Sequence, residues 1–167
     1  MIPSVAAVLL MASWMGSADG ASAVGMRVRA EATDVRAMIA AATARSGTVR
    51  ELVARLNCTD AIVYVETIAS PLVPTARTKL VATVASARFI RISINVAFGE
   101  RDRMALLAHE LQHAVEIAEQ LDVRDDDGVR RLYAKIGRAT GRDSFETDAA
   151  RDVEWIARAE LHTKIGG

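Results

Sequence analysis

One five-residue stretch, His109-Glu110-Leu111-Gln112-His113, supports most of what can be inferred from this sequence. It lies inside a run of helical apolar periodicity that extends from Met104 to Leu121. Two histidines four residues apart project from one side of an α-helix, about 40° apart around its axis, so both can bind one metal ion. A glutamate directly after the first histidine can take a proton from a water molecule bound to that ion. The pattern therefore predicts two zinc ligands, His109 and His113, and a general base, Glu110.

The apolar residues around this motif indicate how its helix packs. One stripe at i+3 and i+4 spacing is the expected core face: Met104, Leu107, Leu111, Ala114, Ala118 and Leu121. The histidines lie roughly opposite that stripe, which favours a cleft between this helix and a second element. The alternative is a pair of ordinary exposed or core histidines. It is disfavoured because the chain has only 3 histidines and two of them fall in this arrangement.

Composition restricts the classes of protein to consider. A length of 167 residues suits one domain, and 51% hydrophobic with 25% charged residues is typical of a globular protein. The formal net charge is +0 and aromatic residues make up 4%, so neither a basic surface nor base-stacking platforms are expected. No nucleic-acid partner is predicted.

The single cysteine, Cys58, cannot form an internal disulfide and is interpreted as a core thiol.

The N-terminal segment has the character of an export signal. Residues 2–15 are apolar and uncharged, and Ala21-Ser22-Ala23 matches the small-x-small pattern that signal peptidase cleaves. No Lys or Arg precedes the apolar run, which departs from the usual signal peptide. The alternative is a membrane anchor, but the run is shorter than the ~20 residues that a span requires. We expect a signal peptide at 1–23, a single domain at 24–167, a periplasmic or secreted location and no membrane span after cleavage.

Periodicity along the rest of the chain predicts an α+β fold. Helices are expected at 31–45 and from Thr48 to Leu56, and strands at 61–68, 79–86 and 88–96. The histidine helix follows, and two further helices are expected at 129–136 and 145–163. Three successive strands favour a short antiparallel meander, with helices before and after it.

A catalytic zinc needs a third protein ligand. Three ligands along one helix close a tetrahedron poorly, so Glu116 is expected behind a ligand or in solvent. A residue from a second helix is favoured, and the first turn of the last helix offers Glu146, with Asp148 as the alternative. Asp143-Ser144-Phe145-Glu146 also resembles a helix capping box, so the cap and the ligand both remain open. Tyr133 can be an oxyanion donor or, more simply, an ordinary half-buried tyrosine.

The motif, a carboxylate on a later helix and strands before the motif together resemble the zincin metallopeptidases, and within them the glutamate-liganded gluzincins. Met-zincins are excluded because no Gly and His follow His113 at the required spacing. More narrowly, residues 107–116 followed by Phe145-Glu146-Thr147 are similar to a family of small exported bacterial proteins without a settled function. The resemblance covers most of the chain after the leader. It implies a zincin-like fold, zinc at His109 and His113, Glu110 as the base and the carboxylate after Phe145 as a ligand.

Two departures from the better-known gluzincins concern the surroundings of the ligands. No Asn precedes Glu146, and Ala150 occupies the position four residues later, where an Asp that orients a histidine is often found. The expected function is a zinc-dependent peptidase whose strand at 88–96 aligns an extended peptide substrate at a sheet edge. The alternative is a non-catalytic zincin-fold protein with a binding or structural role.

Overall fold

The computed structural model describes residues 26–71, 75–141 and 144–163, so the predicted leader at 1–23 lies outside the described residues. The elements in chain order are β1 (Val28–Arg29), α1 (Thr33–Arg45), α2 (Gly47–Asn57), β2 (Ala61–Ile68), β3 (Ala76–Val84), β4 (Ala87–Asn95), α3 (Glu100–Glu119), α4 (Asp126–Ile136), β5 (Arg138–Gly141), β6 (Ser144–Glu146) and α5 (Asp148–His162). This composition confirms the predicted α+β class. Within the described ranges, no helix is both long and apolar enough to cross a membrane.

The main sheet has four strands in the order β1-β2-β4-β3. β1, β2 and β4 are parallel, and β3 pairs antiparallel with β4. The predicted antiparallel meander is therefore wrong, because β2 and β4 are neighbours and β3 lies at the edge. Burial explains the order: β4 places Ile90, Ile92 and Ile94 in the core, whereas only Leu80 is buried among the β3 residues, all of which are described. β4 lies inside the sheet, between β2 and β3, so the strand predicted at 88–96 cannot be the edge strand.

The helix that contains both histidines, α3, packs against β3, β4, α2 and α5. Its predicted core face is correct as far as the helix extends, since Met104, Leu107, Leu111, Ala114 and Ala118 are buried. Leu121 lies beyond the end of the helix and is 72% exposed. Cys58 is exposed at the C-terminal end of α2 rather than in the core, because the chain turns there before β2.

A buried arginine on β4 fixes the C-terminal end of α3. Arg88 is fully buried, and its guanidinium donates to Asp60 through Nε at 2.8 Å. The same guanidinium donates to the carbonyls of Ile117 at 2.8 Å and Gln120 at 2.7 Å, and to that of Ala118. The carbonyls of Ile117 and Gln120 also accept from the backbone N atoms of Gln120 and Val123, so the carbonyl of Ala118 depends most on Arg88. A cation is favoured at the C-terminal end of a helix by the helix dipole. Arg88 thus fixes α3 to the sheet.

The last helix begins later than predicted. Phe145 and Glu146 belong to β6, which pairs with β5, and α5 starts at Asp148. Asp143 lies outside the described residues, and the observed cap is Thr147, whose Oγ1 accepts from the backbone N of Ala150 at 3.1 Å. The capping box ending at Glu146 is therefore wrong: the pairing of β6 keeps Glu146 extended, and its Oε1 accepts from the backbone N of Thr147 at 2.9 Å.

Candidate metal centre

The two histidines lie side by side on α3, as one helical turn between them requires. Their ring centroids are 4.9 Å apart and the ring planes are inclined by 73°. Both side chains are largely shielded from solvent, at 12% exposed for His109 and 7% for His113. The pair is therefore partly desolvated, and it lines a cleft between α3, strand β3 and the β5–β6 hairpin.

Strand β6 brings an acidic residue, Glu146, to this pair. Its Oε1 lies 3.6 Å from Nε2 of His109, and donor atoms of His109, His113 and Glu146 all lie within 4.8 Å of one another. Ligand atoms at zinc-bonding distances around a tetrahedron would be about 3.3–3.5 Å apart, so the group is close enough to bind a metal ion. The alternative ligand, Asp148, is 77% exposed and pairs with Arg138 and Arg151 instead.

Glu116 lies behind His113, in one of the two positions expected for it. Its Oε2 is 2.9 Å from Nδ1 of His113, and its Oε1 accepts from Thr147 Oγ1 at 2.8 Å and from Gln112 Nε2 at 3.3 Å. Burial alone would raise the pKa of Glu116, but the hydrogen bonds from His113 and Thr147 outweigh it and hold that pKa below its ordinary value. The group therefore stays a carboxylate that can fix the orientation of the His113 ring.

Glu154 occupies the equivalent place beside His109, and the sequence interpretation missed it. Its Oε2 lies 3.1 Å from Nδ1 of His109, although the alignment falls short of a hydrogen bond and Nδ1 has no hydrogen-bond partner among the described residues. The neighbouring imidazole, followed by Arg158, lowers the pKa of Glu154 to about 2. Ala150, where a histidine-orienting Asp was sought, is fully buried. Glu154 is one helical turn further along the same face of α5, so helical spacing makes it a candidate, but only the packing of α5 against α3 brings it to His109.

These carboxylates also change the protonation of His109. Burial lowers its pKa, but the surrounding carboxylates of Glu154, Glu110 and Glu146 together raise it above its ordinary value. An imidazole surrounded by three negative groups attracts a positive charge, which can be a proton or a metal ion. The electrostatic environment of the cleft thus favours a cation at the histidine pair.

Glu110 lies on the same side of α3, is 5% exposed and contacts the edge strand. Thr78 Oγ1 lies 2.7 Å from Glu110 Oε2, to which it donates, and 3.0 Å from the Glu110 backbone carbonyl. Burial is the main reason why the pKa of Glu110 is raised above its ordinary value. The Glu110 carboxylate is thus a stronger base than an exposed one, and one of its two oxygens is held by Thr78.

Tyr133 forms part of the wall behind His113. Its hydroxyl lies 3.2 Å from Nδ1 of His113, the same nitrogen that meets Glu116, and its ring stacks on Phe145 at 5.0 Å and 7°. Tyr133 is 4% exposed, and burial is the main reason why its pKa is raised, so the hydroxyl stays protonated. These contacts fit a packing tyrosine, more deeply buried than expected, and not a donor aimed at the space between the ligands.

Comparisons of the chain with models of protein families, with curated proteins and with solved structures find no match.

Proposed function

We propose that this protein is an exported zinc-dependent peptidase with a zincin-like fold, in which His109, His113 and Glu146 bind the metal and Glu110 is the general base. The observation that supports this most directly is the convergence of those three donor groups beside a buried carboxylate in one cleft. Export rests on the apolar segment and the Ala21-Ser22-Ala23 pattern of the sequence.

The donor set is consistent with zinc. Two imidazoles and one carboxylate, with a fourth position open to the cleft, are the ligands of a common class of catalytic zinc sites. When bound, zinc would supply a Lewis acid that polarises a peptide carbonyl and acidifies water. The carboxylates of Glu116 and Glu154 face the Nδ1 atoms of the two histidines, which favours presentation of each Nε2 to the metal.

Glu110 is suited to move the proton in such a reaction. Its Oε2 is engaged by Thr78, which leaves Oε1 to take a proton from the attacking water. Burial raises the pKa of Glu110 above its ordinary value, and a base with a higher pKa accepts a proton more readily. After attack on the carbonyl, the protonated Glu110 can donate that proton to the leaving amine.

An extended peptide would bind along β3, not along the strand at 88–96 favoured from the sequence. β3 lies at the sheet edge, and six consecutive residues, 75–80, line the cleft. An added strand would satisfy the free backbone groups of this edge and place a peptide bond near the histidine pair.

The test is the Glu110→Gln variant of the protein without its first 23 residues, compared with the parent. The change keeps side-chain volume and removes the basic oxygen, so we expect unchanged zinc content and a loss of cleavage of about 10²–10⁴-fold. Elemental analysis and digestion of a broad peptide library measure the two quantities. A parent that binds one equivalent of zinc and cleaves nothing would instead support the non-catalytic alternative, and a parent that binds no zinc would contradict both.

A further inference from the structure

The sheet is covered by helices on one face, and its other face is exposed beside the cleft. In β3 the side chains of Thr78 and Leu80 point toward α3, because Thr78 contacts Glu110 and Leu80 is buried. Strand alternation therefore places Arg77 and Lys79 on the outer face, where both are exposed. The same strand that forms one wall of the candidate active site thus presents two cations on its reverse side.

These cations are not neutralised within the fold. Neither Arg77 nor Lys79 forms an ion pair or a hydrogen bond through its side chain in the part of the chain that the structure describes. Register places Lys79 directly opposite Arg91, and like charges in directly opposed positions destabilise a sheet. Arg91 has a distant acidic neighbour, Glu66, at 4.0 Å. Glu66 partly compensates the charge of Arg91, whereas Arg77 and Lys79 have no such partner among the described residues. Two unpaired cations on one face of an edge strand point to a ligand that carries the opposite charge.

The position of the pair indicates how such a ligand would lie. β3 is an edge strand, so a peptide that adds to it would place alternate side chains on the two faces of the extended sheet. Two residues at positions i and i+2 of the peptide would lie on the outer face beside Arg77 and Lys79, about 4.5–5.5 Å away between Cβ atoms. The residue between them would face the same side as Thr78 and Glu110.

We infer that the cleft selects peptides that carry acidic side chains at alternate positions, with Arg77 and Lys79 as the residues that determine this specificity. The inference rests on the proposed function only in treating the cleft as a peptide-binding site. It concerns binding, and binding can be measured without turnover.

The experiment measures the affinity of labelled peptides for the zinc-loaded Glu110→Gln protein by fluorescence anisotropy. A peptide with Glu at i and i+2 should bind about three- to tenfold more tightly than its Gln counterpart, and also more tightly than a peptide with Glu at i and i+1. A three- to tenfold difference in affinity is what two exposed ion pairs provide, and this difference should decrease as salt is added. Adding Arg77→Gln and Lys79→Gln together should abolish the preference.

The matched control removes one arginine and one lysine elsewhere on the surface. Arg101 and Lys135 are exposed and do not line the cleft, so Arg101→Gln with Lys135→Gln should keep the preference. Reversing the pair, Arg77→Glu with Lys79→Glu, should transfer the preference to peptides with Lys at i and i+2. That exchange is a readout that simple loss of structure cannot produce.

The outcomes separate this inference from the proposed function. Equal affinity for Glu and Gln peptides would overturn the inference even if the parent cleaves peptides. An alternate-acid preference that depends on Arg77 and Lys79 would support the inference even if the parent cleaves nothing. An oligonucleotide or an anionic lipid vesicle that binds more tightly than the peptide, through the same two residues, would assign the cations to a different partner and overturn it.

Discussion

At the scale of single residues, the choice between Glu146 and Asp148 as the third ligand gives a direct test. Glu146→Gln should weaken zinc binding strongly, because a neutral amide is a much poorer ligand than a carboxylate. Asp148→Asn should leave zinc affinity unchanged, since that side chain is 77% exposed and contacts arginines away from the histidines. Competition titration with a chromophoric chelator measures both affinities. If the two variants bind zinc equally well, Glu146 is not a ligand.

Glu116 supplies a second prediction at this scale, through the orientation of His113. Glu116→Gln should lower zinc affinity about 10–100-fold, the usual effect of removing a carboxylate that supports a ligating histidine. Nitrogen NMR of the metal-free protein should show a smaller population of the His113 tautomer protonated at Nδ1. Glu119→Gln is the control, because Glu119 is exposed on the same helix and pairs with Arg55. An unchanged tautomer population would contradict the positioning role, whatever happened to stability.

Residues of the site could be predicted where helix geometry alone sets their spacing. His109, Glu110 and His113 are of this kind, because one turn of helix brings the two rings together wherever the helix packs. Glu154 and Thr78 could not be predicted in the same way. Each approaches α3 from another element, and its distance to the histidines depends on how α5 and β3 pack against that helix.

At the scale of elements, Glu160 joins α5 to the N-terminal end of α2. It accepts hydrogen bonds from Ser46 Oγ and, at 3.2 Å, from both the backbone N and the Oγ1 of Thr48. Burial alone would raise the pKa of Glu160, but these hydrogen bonds outweigh it and lower the pKa. Because the folded-state pKa is below the unfolded value, the contact stabilises the fold above about pH 4.5, and this contribution is lost as pH falls further.

Glu160→Gln should therefore reduce the free energy of unfolding at pH 7 by about 0.5–1 kcal/mol, given a carboxylate that is partly exposed to solvent near a helix N-terminus. The difference from the parent should decrease below about pH 4.5. Urea unfolding of the metal-free protein at a series of pH values measures this. Asp152→Asn, an exposed change on the same helix, is the control. A difference that is constant between pH 7 and pH 3 would show that the Glu160 contact does not depend on its charge.

The types of most elements could be predicted, but the order of the strands could not. The alternation of Ile90, Ile92 and Ile94 identifies a half-buried strand, and β2 was predicted at its observed bounds. Alternation does not specify which strand pairs with which, however. The parallel pairing of β2 with β4 joins segments separated by the whole of β3, and hydrophobic periodicity contains no information about such a pairing. β6 could not be predicted even as a strand, because its three residues are too few to show alternation.

At the scale of the whole molecule, the candidate metal centre depends on how firmly α3 is held against the sheet. Arg88 provides that connection, because its buried guanidinium binds Asp60, next to the start of β2, and the last carbonyls of α3 at the same time. The histidine motif lies on this helix, so the position of the ligands relative to β3 depends on it. In the sequence, the one sign of this connection is an arginine near the start of an apolar strand. That sign is ambiguous, because the start of a strand is often exposed and an arginine there can equally lie in solvent.

Arg88→Met should lower the free energy of unfolding by about 3–5 kcal/mol, because it leaves Asp60 partly buried without its main cation and leaves the carbonyl of Ala118 without its donor. Arg88→Lys should recover part of the loss, since an ammonium retains the charge but cannot bind all these oxygens at once. Arg91→Met is the matched control on the same strand: its side chain is 54% exposed, so we expect a change within about 0.5 kcal/mol. Urea unfolding of the metal-free proteins measures all three. If Arg88→Met is no less stable than Arg91→Met, water or other groups donate hydrogen bonds to the last carbonyls of α3. In that case apolar packing alone holds the histidine helix against the sheet.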